Sequence, residues 1–324
     1  MRLPRFFREA AMRRRYRKML SQLFEGDYRV SIARTVDEYQ DAFRLVRTGY
    51  VYQGYLPMRS PELRIYNQHV LPESVVLIAK KGENVVGTMT VTLDSPAGLP
   101  LDKDYGDALT ELRAGGEKLV EFGALAVLQP YQGSGVPTLM NMAAWWLAHN
   151  ILGAERVVIG VNPRAVSWYR ATMAFLPFGP LREHADLAAP VVGLSHDLFT
   201  FRSFCQKHFS QQLSSGLCAV EHFFDTLPDQ VEAPPVASLE ELNRWKLPRE
   251  VFRELFVEQT AHLDDLDAQT RAHLAECRSP RTLEVSTAMA QAAPEQKLLR
   301  LRFDHTGPSQ IITASKELSH VGNY

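Results

Sequence analysis

The chain has 324 residues, 45% hydrophobic and 23% charged, with a formal net charge of -1, the profile of an ordinary globular protein of one large or two modest domains. No run approaches the roughly 20 apolar residues needed to span a bilayer, and the N-terminus lacks the apolar core of a secretory signal, so a cytoplasmic location is expected. Three cysteines, Cys205, Cys218 and Cys277, argue for reduced thiols and against a disulfide framework.

Residues 1–24 hold eight Arg or Lys against one acid, a net of +7, which leaves -8 for the remainder. Met12, Tyr16, Met19, Leu20 and Leu23 fall on one helical stripe there, and Arg13, Arg14, Arg15, Arg17 and Lys18 crowd the rest. Such a basic amphipathic helix can touch anionic lipid or an acidic protein, or simply pack on the domain. No basic patch interleaved with aromatics recurs, so nucleic acid is not expected as a partner.

Residues 30–34 read as a first strand, and Thr35 with Glu38 resembles a capping box for a helix through Arg47. The aromatic stretch 50–56 is suited to wall an apolar chain or to fill a core. Residues 75–79 and 85–93 predict a hairpin across Lys81, Gly82, Glu83 and Asn84. Beyond it Asp94, beside Ser95 and Pro96, opens a loop to Pro100 and is placed to cap a turn.

The run 119–128 is almost wholly apolar, interrupted by Glu121 and Gly123, which predicts a buried central strand with a bulge. Residues 129–135 form a Gly-rich turn able to gather backbone N–H groups at a helix start, where a phosphate can sit. From 137 to 152 Leu139, Met140, Ala143, Trp146, Leu147 and Ile151 predict a helix lying on a sheet, with Gly153 as its stop. Residues 156–161 predict a second buried strand, and Asn162-Pro163 opens a helix carrying Trp168, Tyr169, Met173 and Phe175. The result is a β-α-β-α unit.

Glu121 is the leading candidate for chemistry. A carboxylate within an apolar strand is desolvated, which raises its pKa into a useful range for accepting a proton. The alternative is an inward-facing acid paired with an arginine. A bulge around Gly123, Ala124 and Leu125 would aim backbone donors at a developing oxyanion.

Past Leu198, Cys205 with His208 and Cys218 with His222 have ligand spacing for zinc, but Phe201, Phe204, Phe209 and Leu213 mark an ordinary amphipathic helix, and no metal is expected. Ser195, His196 and Asp197 are neighbours in a strand, alternate between its faces and cannot form a nucleophilic triad. Residues 226–237 read as a Pro-rich linker, Ser238 with Glu241 caps a short helix, Pro248 starts another, and residues 299–303 suggest a short strand.

Two linked motifs, Gln132-x-x-Gly135-x-Pro137 and then Asn162, Ala165, Tyr169 and Ala174-Phe175, resemble those of the GNAT acyltransferase superfamily. Over residues 31–198, the stretches AFRLVRTGYVYQGYL, VVGTMTVTLDSPAGLPLD, ELRAGGEKLVEFGALAV and VNPRAVSWYRATMAFLPFGP look like bacterial N-acyl amino acid synthases, relatives of acyl-homoserine-lactone synthases. The resemblance implies an α/β fold, a GNAT-like mixed sheet with flanking helices at 28–200, between a basic helix at 1–27 and a mostly helical C-terminal extension at 201–324.

It also implies transfer of a long fatty acyl group from acyl carrier protein to the amine of an amino acid, with a phosphopantetheine-bearing donor and no separate cofactor. Pro137 removes one N–H from the phosphate loop, which fits acyl carrier protein better than coenzyme A. By this resemblance the catalytic set is Glu121, Tyr169 as donor to the leaving thiolate, and the amides of Ala124 and Leu125. The substrate-binding set is Arg44, Asp94, Val127, Gln132, Gly133, Ser134, Gly135, Asn162 and Arg164. Arg44 would grip a carboxylate or a pantetheine oxygen, or is an exposed helix charge; Asp94 would receive an ammonium, or caps its turn; Arg164 would meet a phosphate or carboxylate, or faces water. Many related synthases carry a histidine where this chain has Ala165, so no mechanism rests on a histidine there. Two other readings are a coenzyme A-dependent N-acetyltransferase and a catalytically silent acyl- or partner-binding module.

Overall fold

Runs of β-branched and aromatic residues meet in one mixed sheet of eight strands, in a computed structural model that describes residues 7–15, 28–209, 247–260 and 262–278. Numbered along the chain, the strands are β1 (Arg29–Ile32), β2 (Ser74–Lys81), β3 (Asn84–Leu93), β4 (Leu119–Val127), β5 (Arg156–Val161), β6 (Leu176–Pro177), β7 (Arg182–Glu183) and β8 (Pro190–Asp197). Their spatial order is β1-β2-β3-β4-β5-β8-β6, with β7 paired to β8. Every pairing is antiparallel except β4 with β5. The GNAT-like mixed sheet expected from the sequence is therefore present. The β2–β3 hairpin closes where predicted, with Lys81 opposite Asn84 and Gly82 at φ +58°.

Residues 7–15 are helical (α1), and among the described residues seven further helices, numbered in chain order, follow. In α2 (Val36–Tyr52) the capping box forms as its spacing predicts, Glu38 N donating to Thr35 Oγ1 at 3.2 Å and Thr35 N to Glu38 Oε2 at 3.2 Å. The helix runs past Arg47 to Tyr52, and Gly54 at φ +75° then turns the chain. The helix expected at 137–152 begins one residue earlier as α4 (Val136–Trp146) and continues through Leu147–Ile151, and α5 (Val166–Met173) follows β5. The β4-α4-β5-α5 unit is thus as read from the sequence.

The helix α3 (Asp102–Ala114) was not expected, because its sequence is polar, holds Gly106 and offers little apolar period. Tertiary contacts supply what periodicity lacks. Tyr105, fully buried, sits against Gly179 and Gly193, where an added Cβ would come within 2.5 Å and 3.3 Å of its ring. Its hydroxyl lies 2.6 Å from Pro180 O and 2.9 Å from Val191 O.

After β8 the chain enters α6 (Leu198–Phe209), where Leu198, Phe201 and Cys205 join the core, the ordinary amphipathic helix that argued against zinc at Cys205. Farther on, α7 (Arg249–Val251, continued through Phe252–Gln259) and α8 (Ala268–Cys277) do not form a separate body. Val251, Phe252, Leu255 and Phe256 share one core with Tyr39 and Phe43 of α2 and with Val76 and Ile78 of β2. Residues on both sides of the boundary expected at residue 200 thus share this second core layer. Cys218, His222, the linker at 226–237, the helix capped by Ser238 and the strand at 299–303 lie outside the described residues. Among the described residues no helix is long and apolar enough to cross a membrane.

Phe256 is fully buried with its ring 6.4 Å from that of Phe43. Phe256→Ala should cost about 3–5 kcal/mol in urea unfolding of the full chain. A loss below about 1 kcal/mol would mean that α7 merely rests on the surface.

Candidate active site

The parallel pair β4 and β5 is short. It runs from Leu119 opposite Arg156 to Glu121 opposite Val158 and then ends. On its other side β4 stays with β3, but two residues, Ala124 and Leu125, oppose the single Met89, because Thr90 pairs with Gly123 and Thr88 with Ala126. Ala124 takes a left-handed φ of +50°. The bulge was expected at Gly123, yet it is Ala124 that bears the unusual conformation.

The strands part there, and the gap becomes a cavity of about 220 Å³. Phe122 to Leu125 line one side and Ile159 to Asn162 the other, with Asn141, Ala165 and Tyr169 completing it. Ala124 and Leu125 thus sit on the cleft as predicted, with the bulge that can turn their amides away from the ladder.

Glu121 occupies the last paired position before the split. It is buried, and its Oε2 accepts a hydrogen bond from Leu101 N at 2.8 Å. Its Oε1 lies toward Gly123, 3.3 Å from where a Cβ there would stand, so glycine leaves that oxygen its room. Among the described residues no ion pair reaches Glu121, which removes the reading of an arginine-paired structural acid. Burial pushes its carboxyl up to about 8, opposed by the Leu101 N–H and reinforced by Asp102, Asp104 and Asp94.

Around Glu121 lies a smaller compartment of about 60 Å³ that shares Tyr50, Gly123, Ala124, Gly160 and His184 with the cleft. It contains residues the sequence reading missed. His69, held neutral because burial drops it to about 3, accepts from Tyr66 N at Nδ1 (3.0 Å), so its Nε2–H donates to Thr90 Oγ1 at 3.1 Å. Asp104 is enclosed beside His184, Nδ1 to Oδ2 3.6 Å, and takes a bond from Ala185 N at 2.7 Å. Asp186 stands at the edge, paired with Lys103 at 2.8 Å. The compartment is acidic and polar, suited to a cationic amine. An outer groove of about 700 Å³ joins it through Tyr66 and Asp186 and carries Arg44, Arg47 and Arg64. Arg64 stacks on Tyr66, 4.7 Å from the ring centre, and its buried Nε makes no hydrogen bond.

At the other end of the cleft, Tyr169 packs edge-on against Trp168 and Phe175. Burial raises its hydroxyl to about 12, with a hydrogen bond from Asn141 opposing. Tyr169 and Leu125 also line an apolar cavity of about 500 Å³ together with Gly133, Pro137, Thr138, Trp168, and Met12 and Arg15 of α1. Gly133 and Gly135 adopt φ of +88° and +91°, and Gly135 caps α4. Ser134 Oγ donates to Tyr131 O and Gln132 Nε2 to Val127 O, so these side chains brace the turn, together with the Gln132 and Ser134 amides bonded to Gln129 O and Tyr131 O. Thr138 Oγ1 is buried here without a partner. Ala174, at φ +59°, ends α5 in the left-handed conformation that glycine alone adopts without penalty.

Other expected residues stand elsewhere. Asp94 is gripped by Arg113 through two bonds of 2.7 and 2.9 Å, and Arg113 also holds Asp102. Asp94 is thus engaged by Arg113, which through Asp102 braces the loop that presents Leu101 N to Glu121. Arg44 is an exposed helix charge bonded to Glu62 and Asp41 at the outer groove. Arg164 faces water, while Asn162 lines the cleft and caps its own turn through Arg164 N. Ser195 and His196 are buried in β8, His196 against Phe175 and Phe201. The described part of the basic N-terminal helix packs on the domain, Arg13 Nε donating to Ala171 O at 3.0 Å.

Residues 41–197 match a family model described as N-acyl amino acid synthase FeeM. The match spans the whole cleft. Among solved structures, FeeM, an N-acyl amino acid synthase from uncultured soil microbes, is 23% identical over 54% of this chain and 93% of that one, with a TM-score of 0.48. The coenzyme A-dependent acyl-homoserine lactone synthase BjaI is 13% identical over 67% of this chain and 99% of its own, TM-score 0.44. ElaA of Escherichia coli is 13% identical over 53% and 99%, TM-score 0.36. No curated protein sequence matches the chain.

Glu121 makes stability depend on pH with a definite sign. Its carboxyl keeps its proton up to about 8 in the folded chain and releases it near 4.5 when unfolded, so between these values the native state binds more protons. Stability should therefore fall as pH rises across that window. In Glu121→Gln this component of the decline should vanish, as read by urea unfolding at about pH 5 and about pH 8; equal slopes in both proteins would show that the carboxyl is not held protonated.

Proposed function

We propose that this chain, whose residues 41–197 match the N-acyl amino acid synthase FeeM family model, is an N-acyltransferase that moves a long-chain fatty acyl group from acyl carrier protein to the amine of an amino acid. One observation carries the reading. Three cavities adjoin through shared walls, from the Gly133 turn past Tyr169 to the bulge and on to Glu121. A phosphopantetheine arm entering at the turn would bring its thioester to Ala124 and Leu125, while the amine reaches Glu121 from the opposite side.

In the reaction the amine nitrogen attacks the thioester carbon as Glu121 accepts its proton, directly or through one water. The carbonyl oxygen gains charge opposite the bulge amides. The C–S bond then breaks, and Tyr169, kept protonated by burial, donates a hydrogen bond to the departing thiolate. An amide and a pantetheine thiolate result, and the proton taken up by Glu121 returns through solvent to the sulfur, giving the free thiol and the carboxylate ready for another turnover. Acidic neighbours around Glu121 favour an ammonium, and the arginines of the outer groove favour a carboxylate, which together describe an amino acid. Pro137 at the second position of α4 leaves one donor fewer for the phosphates of coenzyme A, whereas α1 brings Arg15 to the mouth of the donor cavity, a charge suited to an acidic carrier protein.

Incubation with long-chain acyl carrier protein and the twenty amino acids, read by mass spectrometry, should yield an N-acyl amino acid that requires the carrier-bound donor. Consumption of acetyl coenzyme A instead would replace this reading with an acetyltransferase, and silence with both donors would leave a binding module. For the accepted substrate, kcat/KM should rise with pH toward a limb near about 8, the value of Glu121. In Glu121→Gln the rate should drop roughly 10²–10⁴-fold and lose that limb, with the fold retained because a glutamine oxygen still accepts from Leu101 N. Unchanged turnover would remove Glu121 from the mechanism.

A further inference from the structure

On the far side of the sheet from the donor turn, three side chains converge that neither the family match nor the proposed reaction uses. Glu73 immediately precedes β2, and its carbonyl accepts from Leu93 N at 3.0 Å. His273 and Cys277 stand one turn apart on the same face of α8, whose start is anchored by Asp267 accepting from Thr270 N at 2.8 Å. His273 Nε2 lies 3.0 Å from Glu73 Oε1 and 3.6 Å from Cys277 Sγ, and the three ligand atoms all fall within 4.8 Å of one another.

Both neighbours address the same ring nitrogen. A nucleophilic triad needs the acid on one imidazole nitrogen and the thiol on the other, so Cys277, His273 and Glu73 cannot work as one. As a hydrogen-bonded cluster it is also poorly satisfied. Nε2 carries either a proton for the carboxylate or a lone pair for the thiol. Glu73 Oε2 and His273 Nδ1 are both buried without partners, and nothing holds the ring in the Nε2–H tautomer. A cation accepts all three lone pairs at once. Zinc bonded to nitrogen at about 2.0–2.1 Å and sulfur at about 2.3 Å sets those two atoms about 3.5 Å apart in a tetrahedron, close to the separation seen here. Imidazole, thiolate and carboxylate are a donor set that this metal accepts.

We propose that Glu73, His273 and Cys277 bind a zinc ion that clips α8 to the start of β2, with water in the fourth position. Binding replaces the Cys277 thiol proton, which is released to solvent; without a cation, burial and the charge of Glu73 hold that thiol up at about 12. The clip would secure the α8 segment, from which Gln269 Nε2 also bonds Pro96 O in the loop after β3.

The test is titration of the full chain, stripped with a chelator, with cobalt(II), whose bond to a thiolate gives a near-ultraviolet charge-transfer band. The expected result is saturation at about one cobalt per chain, the band displaced by added zinc. It should disappear in Cys277→Ser and persist in Cys205→Ser and Cys218→Ser, which keep the cluster. Glu73→Gln, which preserves shape, should weaken zinc by about tenfold or more in competition with a chromogenic chelator. No band in the unaltered chain, or a band that survives Cys277→Ser, would overturn the assignment.

Discussion

The parting of β4 from β5 is the constraint on which the rest of the molecule depends. A parallel pair would ordinarily run the length of both strands, each amide satisfied by its neighbour. Here it stops at Glu121, where two residues of β4 oppose one of β3. The extra residue bends β4 toward β3 and away from β5. Backbone that would have been consumed in a ladder is left facing a cleft, which lets strands in the middle of a sheet bind an extended ligand. Gly160 belongs to the same solution. A Cβ there would come within 2.7 Å of Leu101 and displace the loop whose amide holds Glu121.

Electrostatics then separate the two ends of the cleft. Around Glu121 the nearest charges are acids, and the only direct hydrogen bond to its carboxylate among the described residues comes from a backbone N–H. That combination keeps the group mostly protonated at neutrality and half-protonated near about 8, so a modest rise in pH frees it to accept a proton. Asp94 and Asp102 push in the same direction and would do so more strongly if they were unpaired, but Arg113 binds both and tempers their repulsion. At the opposite end the lining is apolar and the helix terminus offers N–H groups, so a long, uncharged chain with a phosphate at its outer end fits the gradient.

The helices past residue 247 do not decorate the domain. They cover the face of β2 and α2 that the β4-α4-β5 unit leaves open, and without Phe252, Leu255 and Phe256 the side chains of Tyr39, Phe43 and Ile78 would face water. The same packing brings α8 against the start of β2, so one set of apolar contacts both closes the core and assembles the Glu73, His273 and Cys277 cluster.

Local chemistry made much of this legible from the sequence. Thr35 and Glu38 cap α2 because their spacing matches a helix start, Lys81 to Asn84 turn because glycine accepts a positive φ, and the apolar run at 119–128 with one carboxylate in it announced both the central strand and its buried acid. What stayed hidden depends on partners far along the chain. The helix α3 is held by Tyr105 between two distant glycines; Asp94 meets Arg113, 19 residues on; His69 and Thr90 meet Glu121 only because β3 pairs with β4; and Glu73 lies 200 residues from His273. Sequence alone determined the elements whose signals are short-ranged: periodicity, caps, turns and the desolvated acid. Tertiary structure decided which charges meet, because pairing energy between charges depends on distance and burial, and neither is set by neighbours in the chain.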